Sequence, residues 1–94
     1  MVRGAKYDWD EHNEAHVALH GITKREVEEV LANEPLHTAT HIDEASGEER
    51  NVELGHTDAQ RVLFVIWTPR RGNIRPVTAF PAKRKTRIEY WRTR

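Results

Sequence analysis

The sequence predicts an α+β fold in which two N-terminal helices pack on a four-stranded antiparallel sheet, followed by a basic C-terminal helix or tail. Two observations predict this order. Apolar residues recur three and four positions apart over the first third of the chain, which is the spacing of a buried helix face. From residue 36 onward the pattern changes to short runs of strand-forming residues separated by polar turns. With 94 residues and a hydrophobic share of 37%, the chain has room for one core, so we expect a single domain over residues 1–94.

Capping residues mark the limits of the two predicted helices. Asp10 is a candidate N-cap for a helix over residues 11–20, and Gly21 stands just beyond that helix, where a left-handed glycine commonly ends one. Thr23 and Glu26 form the T-x-x-E pattern of a capping box, which opens the second helix. The predicted buried stripe of the second helix comprises Val27, Val30 and Leu31.

Four strands are predicted, over residues 36–42, 50–56, 61–69 and 74–80. Their connections are short and polar, which favours an antiparallel meander. The third strand, with VLFVIW at its centre, is apolar almost throughout, so we expect it to be central and buried on both faces. Pro76 cannot donate a ladder hydrogen bond, so its strand is expected at an edge or with a bulge. Residues 7–9, YDW, are a candidate for a short first strand.

The two parts of the chain carry opposite charges. Residues 1–60 contain five lysines and arginines against fourteen acidic residues, whereas residues 61–94 contain ten against one, Glu89. The tail KRKTRIEYWRTR is predicted to be a basic helix or a frayed extension, with Ile88 and Trp91 available to pack. Two interpretations stay open. Either the basic third binds an anionic partner, nucleic acid or an acidic protein, or the two parts neutralise each other within the fold.

The composition also excludes several classes of protein. The chain has no cysteine, which excludes disulfides and thiolate metal sites. No apolar run approaches the ~18 residues of a membrane span, and the N-terminal segment lacks the apolar core of a signal peptide. We therefore expect a cytoplasmic protein that has no membrane partner.

Three histidines, His12, His16 and His20, are spaced four residues apart on the first predicted helix and form a stripe on one face. The segment HNEAH resembles the zinc motif H-E-x-x-H, but Glu14 lies roughly 200° around the helix from His12 and faces away. We therefore expect no metal site and no cofactor. Either the stripe packs on the sheet and caps the helix end, or it supplies acid–base or phosphate-binding groups. The residues alone leave both interpretations open.

The order of motifs over residues 7–91, nearly the whole chain, resembles the BrnT-type toxin family. The opening YDWDEHNEAHVALHGITKREVEEVL is similar to the family's aromatic-x-W-D start, its helix ending in H-G-(I/V) and its E-V-E-E-V helix. GEERNVELGH is similar to the family's G-E-R-x-x-x-x-G strand. RVLFVIWTPRRGNIRPVTA is similar to its hydrophobic strand, turn and R-(I/V)-(I/V)-(S/T)-A strand. Tyr90, after KRKTR, matches the tyrosine of the basic final helix.

This resemblance implies a ribonuclease toxin of a type II toxin–antitoxin system with a RelE-like fold. Such a toxin is expected to cleave RNA without a metal ion, to inhibit translation and to be neutralised by a cognate antitoxin that carries a DNA-binding domain. The implied partners are therefore the antitoxin and an RNA substrate, with operator DNA contacted only through the antitoxin. A homodimer is also compatible with the resemblance.

Metal-free RNA cleavage requires a base for the 2′-hydroxyl, an acid for the leaving 5′-oxygen and cations for the charge on the phosphoryl group. The candidate catalytic residues are His16 or His20 as acid or base, Arg50, Arg61 and Arg75 as cations, and Tyr90 as a positioning group. The candidate RNA-binding residues are Lys83, Arg84, Lys85, Arg87 and Trp91. Trp67 is a further candidate for stacking a base, although its apolar strand favours a place in the core.

The chain departs from the family pattern at two places. Directly after VTA the family usually has arginine, whereas this chain has Phe80 followed by Pro81, with Lys83 or Arg84 as candidate substitutes. The glutamate that usually precedes the final tyrosine aligns with Thr86. These departures favour an alternative function, that of a catalytically inactive toxin-like protein that binds an antitoxin or RNA without cleaving it.

Overall fold

The computed structural model describes residues 6–94, and this part of the chain contains three helices and one four-stranded sheet. The elements in chain order are α1 (Glu11–Ala18), α2 (Lys24–Ala32), β1 (Leu36–Ile42), β2 (Glu49–His56), β3 (Val62–Arg70), β4 (Asn73–Pro81) and α3 (Arg84–Arg92). Neighbouring strands are antiparallel, and their spatial order β1-β2-β3-β4 follows the chain. The predicted α+β fold is therefore confirmed, while residues 1–5 of the predicted domain lie outside the described part. None of the described helices is long and apolar enough to cross a membrane.

Both helices open with a capping box; the sequence predicted the one at α2, and at α1 it predicted only the N-cap Asp10. The Asp10 carboxylate accepts hydrogen bonds from the backbone N–H groups of His12 and Asn13, while the Asn13 side chain accepts one from the Asp10 N–H. Thr23 and Glu26 exchange the equivalent bonds at the start of α2. The local sequence thus satisfies the first free N–H groups of each helix and sets where both helices begin.

α1 ends at Ala18, two residues before the predicted end, and a Schellman motif follows it. The Gly21 N–H donates to the Ala18 carbonyl at 2.9 Å, and the Ile22 N–H donates to the Val17 carbonyl at 3.1 Å. Gly21 has a φ of 69°, a conformation that glycine adopts without strain. Because these bonds replace the last helical ones, the chain turns early toward α2 and leaves His20 exposed in the turn.

The main core lies between α1, α2 and one face of the sheet. Successive residues of a strand face opposite sides. In β3, Leu63 and Val65 are fully buried in the main core, whereas Val62 and Phe64 belong to a smaller apolar cluster on the other face. β3 is therefore the internal strand with apolar contacts on both faces that its sequence predicted. The other buried members of the main core are Val17, Ile22, Val27, Val30, Leu31, Ile74 and Ala79.

Pro76 lies on an edge strand and beside a bulge, the two positions that the sequence predicted for a strand residue without an N–H group. β4 is the last strand of the sheet. Its register with β3 shifts between the pair Ile66–Thr78 and the pair Trp67–Pro76, which makes Val77 the extra residue of the bulge. The bulge leaves the carbonyls of this stretch free to accept hydrogen bonds from outside the sheet.

α1 and the segment before it cover the outer edge of β4. The strand predicted over residues 7–9 is reduced to a single parallel bridge between Tyr7 and Ile74, because the chain soon leaves the sheet edge to start α1. Farther along the edge, the Asn13 amide donates to the Pro76 carbonyl at 2.8 Å. These contacts fix α1 along an edge strand that would otherwise offer unpaired backbone groups to another chain.

α3 packs against the smaller apolar cluster through Tyr90. This residue is 2% exposed, whereas Ile88 and Trp91, the predicted packing positions, are 42% and 40% exposed. The prediction of a basic helix is confirmed, but the predicted packing positions are wrong. A helix turns by about 100° per residue, so Tyr90 cannot face the sheet together with its neighbours at 88 and 91. The face that carries Tyr90 is the one that contacts Leu54 and Phe64.

The polar end of Tyr90 has a partner at this position. Its hydroxyl lies 2.6 Å from Nδ1 of His56, so the tyrosine is buried without an unsatisfied polar group. Arg94 adds to this end of the fold, since its guanidinium donates to the carbonyls of Asn33 and Glu34 after α2 and lies 5.1 Å from the Tyr90 ring. α3 is therefore fixed both to the sheet and to the segment that follows α2.

Gly55→Ala should destabilise the fold, because β2 passes close beneath α2 at this residue. A Cβ atom on Gly55 would lie 2.9 Å from Val30 Cγ1, 3.1 Å from Pro35 Cβ and 3.2 Å from the Val30 carbonyl oxygen. We expect the free energy of unfolding in a urea titration to fall by about 1–3 kcal/mol, the usual cost of overpacking. An unchanged unfolding midpoint would contradict this close approach of α2 to the sheet.

Candidate active site

A cleft of about 280 Å³ opens where α1 meets the edge of the sheet. α1 contributes His12 and His16 to its wall, and three different strands contribute Arg50, Arg70 and Arg75. The cleft thus brings together three of the six predicted catalytic residues, namely His16, Arg50 and Arg75. Histidines beside arginines are the residue types that transfer protons and bind phosphate.

Glu48 lies between two of these arginines. Its Oε1 is 3.1 Å from Nη2 of Arg50, and its Oε2 is 3.1 Å from Nη2 of Arg70. Burial raises the pKa of Glu48, but hydrogen bonds and charges from Arg50 and Arg70 outweigh this effect and hold the pKa below its usual value. Glu48 therefore stays ionised at neutral pH, and it engages donors that a phosphate would also use.

Arg75 is held by two carboxylates near the start of α1. Its Nη2 is 2.9 Å from Asp10 Oδ2, and its Nη1 is 3.6 Å from Asp8 Oδ2. The backbone N–H of Asn13 lowers the pKa of Asp10 most, burial opposes this, and Arg75 lowers the pKa further. Because Asp10 is also the N-cap of α1, the start of the helix and the position of the Arg75 guanidinium depend on the same side chain.

Arg50 has a donor that the fold does not use. Within residues 6–94, its Nε is the side-chain nitrogen or oxygen atom that is buried without a hydrogen-bond partner. Its Nη2 meanwhile pairs with Glu48 and lies 3.7 Å from Asp43. A buried donor without an acceptor costs roughly 1–3 kcal/mol, and such groups are rare in folded proteins. Of the three arginines of the cleft, Arg50 is therefore the one whose hydrogen bonding the fold leaves incomplete.

His16 has one ring nitrogen fixed and one available. Nδ1 lies 3.1 Å from the Val77 carbonyl oxygen, which can only accept, so Nδ1 carries a hydrogen. In the neutral ring Nε2 is then the proton acceptor, and no hydrogen bond within residues 6–94 occupies it. The ring of His12 is 5.3 Å away, and both rings are exposed. Within the same residues, no three His, Asp or Glu side chains are grouped so that they could hold a metal ion.

His20 lies outside the cleft, in the turn after α1. Its exposed ring is 6.2 Å from the ring of Phe80, which stacks on Phe64 with the ring centroids 5.4 Å apart. Three of the predicted RNA-binding residues follow Phe80 within five positions and are all exposed; they are Lys83, Arg84 and Lys85. The structure thus places His20 beside an aromatic pair and a basic segment, apart from the cleft that holds His16.

The remaining predicted RNA-binding and stacking residues are dispersed. Arg87 donates to the Ala82 carbonyl at 3.0 Å, and the ring of Trp91 lies 5.0 Å from that of His56. Trp67 packs against the main core and donates from Nε1 to a carboxylate at 3.0 Å. Its place in the core, which its apolar strand favoured, is therefore confirmed.

Arg61 and Tyr90 make their contacts within the fold. Nη1 of Arg61 donates to Glu26 Oε2 and to the Gly21 carbonyl, both at 3.0 Å, which ties β3 to the turn between α1 and α2. Burial raises the pKa of Tyr90, so its hydroxyl stays protonated, and it is hydrogen-bonded to Nδ1 of His56. Neither residue lines the cleft, so its geometry does not support the catalytic roles predicted for Arg61, Tyr90 and His20, which stay predictions.

Sequence reasoning missed Arg70, Glu48 and Asn13. Asn13 had a local signal, since it is the residue of the first capping box that returns a hydrogen bond to the N-cap backbone. Arg70 had none, because it opens the turn-forming segment RRGN, where an arginine side chain usually extends into solvent. Only the register of the strands brings it next to Glu48.

The fold and the cleft together define a small α+β protein with a site of arginines and histidines at one edge of its sheet, residue types that bind phosphate groups. A family model described as the ribonuclease toxin, BrnT, of a type II toxin–antitoxin system matches residues 9–86. Because this match spans most of the chain, the chain belongs to that family, as its ordered motifs predicted. A comparison with curated proteins finds no match. Membership of a toxin–antitoxin family implies an antitoxin partner.

His56 should make the stability of the fold depend on pH. Burial lowers the pKa of His56 below 6.5, Arg94 lowers it further, and Asp58 opposes both. As the pH falls below about 6.5, the unfolded chain therefore takes up the proton first, so the free energy of unfolding decreases. Urea titrations at pH 7.5 and 5.5 measure this loss.

His56→Asn is the matched control for this pH dependence, because its side-chain amide can hydrogen-bond to the Tyr90 hydroxyl in place of Nδ1 but does not titrate. The loss of stability between the two pH values should therefore be smaller in this variant. Equal losses in the variant and the wild type would mean that His56 has the same pKa in the folded and unfolded chains.

Proposed function

We propose that this chain is an endoribonuclease toxin that cleaves RNA in the cytoplasm without a metal ion, inhibits translation and is neutralised by a cognate DNA-binding antitoxin. One observation carries the proposal: the free Nε2 of His16 and the guanidinium groups of Arg50, Arg70 and Arg75 belong to one cleft. Membership of a ribonuclease toxin family supports the same reaction class.

The cleft contains the groups that cleavage by the neighbouring 2′-hydroxyl requires. In the proposed step Nε2 of neutral His16 removes the 2′-OH proton, the O2′–P bond forms and the P–O5′ bond breaks. Protonated His12, with its ring 5.3 Å from that of His16, gives a proton to the leaving 5′-oxygen. The products are a 2′,3′-cyclic phosphate and a 5′-hydroxyl end.

The arginines stabilise the negative charge that develops on the phosphoryl oxygens. A guanidinium stays protonated and binds phosphate through two parallel N–H groups. Arg75 has a side chain only 12% exposed, so it is held in place before RNA arrives, whereas that of Arg70 is 44% exposed and can move toward a ligand. Charge stabilisation by groups already in position is usually the largest single contribution to such catalysis.

A path for the RNA leads away from the cleft along β4, toward Phe80 near the end of that strand. α1 runs beside this path from His12, which lines the cleft, to the turn that contains His20. At the far end lie the predicted RNA-binding residues of the segment before and within α3. Among residues 6–94, none of the following has a carboxylate oxygen within 4.0 Å: Lys83, Arg84, Lys85 and Arg87. Their charge is available to the RNA backbone.

A second candidate function is that of an inactive partner-binding protein, and one observation favours it. Within residues 6–94 all three arginines of the cleft already pair with carboxylates of the same chain. The departure at Phe80 and Pro81 points the same way. In this case the antitoxin would bind the basic segment, and RNA contact with the cleft would not lead to a reaction. The predicted homodimer stays a prediction for either function.

His16→Asn should abolish most RNA cleavage while leaving the fold intact. The Asn amide can keep the hydrogen bond to the Val77 carbonyl, but it has no ring nitrogen that can accept a proton. We expect kcat to fall by about 10²–10⁴-fold, the usual contribution of an acid–base group. The assay follows a structured RNA on a gel with purified protein and EDTA.

His56→Asn serves as the control in the cleavage assay, since it removes a histidine outside the cleft and should leave kcat unchanged. Cleavage that disappears with EDTA would contradict the metal-free mechanism. Cleavage that persists in His16→Asn would exclude His16 as the acid or base. A wild-type protein that leaves RNA intact, yet binds it or an antitoxin, would favour the inactive alternative.

Glu48→Gln should strengthen RNA binding, because it removes a charge that competes with phosphate for Arg50 and Arg70. We expect a lower Kd for a short single-stranded RNA in fluorescence anisotropy. We also expect the slope of log K against log salt to become steeper by about 0.7 for each additional phosphate that the arginines neutralise. Glu11→Gln on the exposed face of α1 is the control for the change in net charge. Equal effects of the two variants would mean that net charge, not release of the arginines, explains the tighter binding.

A further inference from the structure

Phe80 and Phe64 form an aromatic pair that is only partly buried by the two apolar clusters. They are directly paired across β4 and β3, and their rings stack with an interplanar angle of 30°. Both rings are half-buried. Phe64 packs against the smaller cluster under α3, whereas Phe80 is a member of neither cluster within the described residues. Its outer ring surface is therefore not needed to complete the core.

Basic residues follow Phe80 within a few positions along the chain. The segment from Phe80 to Lys83 spans three residue steps, so the two residues are at most about 11 Å apart. Lys83 and Arg84 are exposed and, within residues 6–94, have no carboxylate oxygen within 4.0 Å. The exposed ring of His20 also lies near Phe80, with the two ring centroids 6.2 Å apart.

An apolar ring bordered by unpaired cations matches the chemistry of one nucleotide. The flat π-face of a base stacks on an aromatic side chain whatever the base, and the adjoining phosphates are drawn to lysine and arginine. An apolar peptide side chain would also cover Phe80, but it would gain nothing from the cations beside it. The combination therefore favours single-stranded RNA over an apolar protein segment.

We propose that Phe80, supported by Phe64, is a stacking platform for one RNA base, with the neighbouring phosphates held by Lys83 and Arg84 and approached by His20. The platform rests on the proposed function insofar as RNA is the ligand, but it does not require cleavage. It assigns a binding role to the position where the family usually has arginine. RNA would then extend along β4 from the cleft to this platform.

Phe80→Leu tests the platform, because it keeps an apolar side chain but removes the ring. The ligand is a short single-stranded 2′-O-methyl RNA, whose blocked 2′-oxygen prevents cleavage, and Kd is measured by fluorescence anisotropy. We expect Kd to rise at least about fivefold, the lower limit for loss of one stacked base. Phe80→Tyr retains the ring and should keep Kd within about twofold of the wild type.

Inorganic polyphosphate separates stacking from charge, since it has phosphates and no bases. Phe80→Leu should bind it as the wild type does, whereas the double variant Lys83→Ala/Arg84→Ala should lose affinity for both polyphosphate and RNA. Unchanged RNA binding by Phe80→Leu would overturn the platform and assign the aromatic pair to protein contacts. An equal loss for RNA and polyphosphate would overturn it as well, because the effect would then be one of charge or folding.

A measurement on the wild type alone keeps the test independent of how any variant folds. An oligonucleotide with abasic sugars should bind at least about fivefold more weakly than the intact one. Equal affinities, or no binding of the intact oligonucleotide, would overturn the platform. Failure of the wild type to cleave ordinary RNA would instead contradict the ribonuclease proposal and leave these binding results unaffected.

Discussion

The buried amide of Asn13 is the contact on which the arrangement of this protein depends most. The side chain is 1% exposed, and its Nδ2 donates to the carbonyls of Asp8 and Pro76 at 2.9 and 2.8 Å. Its Oδ1 accepts from the Asp10 N–H at 2.8 Å. Both amide hydrogens and the oxygen are therefore used, as a buried polar group requires. One side chain in this way joins the N-terminal segment, the start of α1 and the edge of β4.

The cleft follows from this junction. Because α1 is fixed against the bulged edge, the carbonyl of Val77 faces His16, and the N-cap carboxylate of Asp10 reaches Arg75. The same contacts that cover an otherwise open sheet edge thus orient a histidine and an arginine toward one space. This explains why sequence alone could not decide between a structural and a chemical histidine stripe. His16 contacts the sheet through Nδ1 and keeps Nε2 for other chemistry.

Local patterns predicted the elements because each depends on neighbours in the chain. β1 has the predicted limits, the N-cap Asp10 and the capping box of Thr23 and Glu26 are present, and Pro76 lies where a missing N–H is tolerated. The site was only partly predictable, because it depends on strand register and on helix rotation. In sequence Arg61 and Arg75 are both arginines at the start of apolar strands, yet one bonds to Glu26 and the other lines the cleft. In α3, likewise, about 100° of helix rotation decided which of two adjacent aromatic residues is buried.

The opposite charges of the two parts of the chain neutralise each other in the cleft but not in the segment around Lys83. The cleft arginines Arg50, Arg70 and Arg75 all pair with acidic residues of the first 60 positions, so the cleft carries little unbalanced charge. A balanced ion pair has a short reach, and at physiological salt charges are screened beyond ~8 Å. The segment around Lys83 therefore accounts for any long-range attraction of RNA under the proposed function. The cleft binds RNA only after this attraction has brought the two together. A phosphate must displace the carboxylate of Glu48 or Asp10 from its arginine, and only a phosphate that forms good hydrogen bonds with the arginines compensates for the lost ion pair.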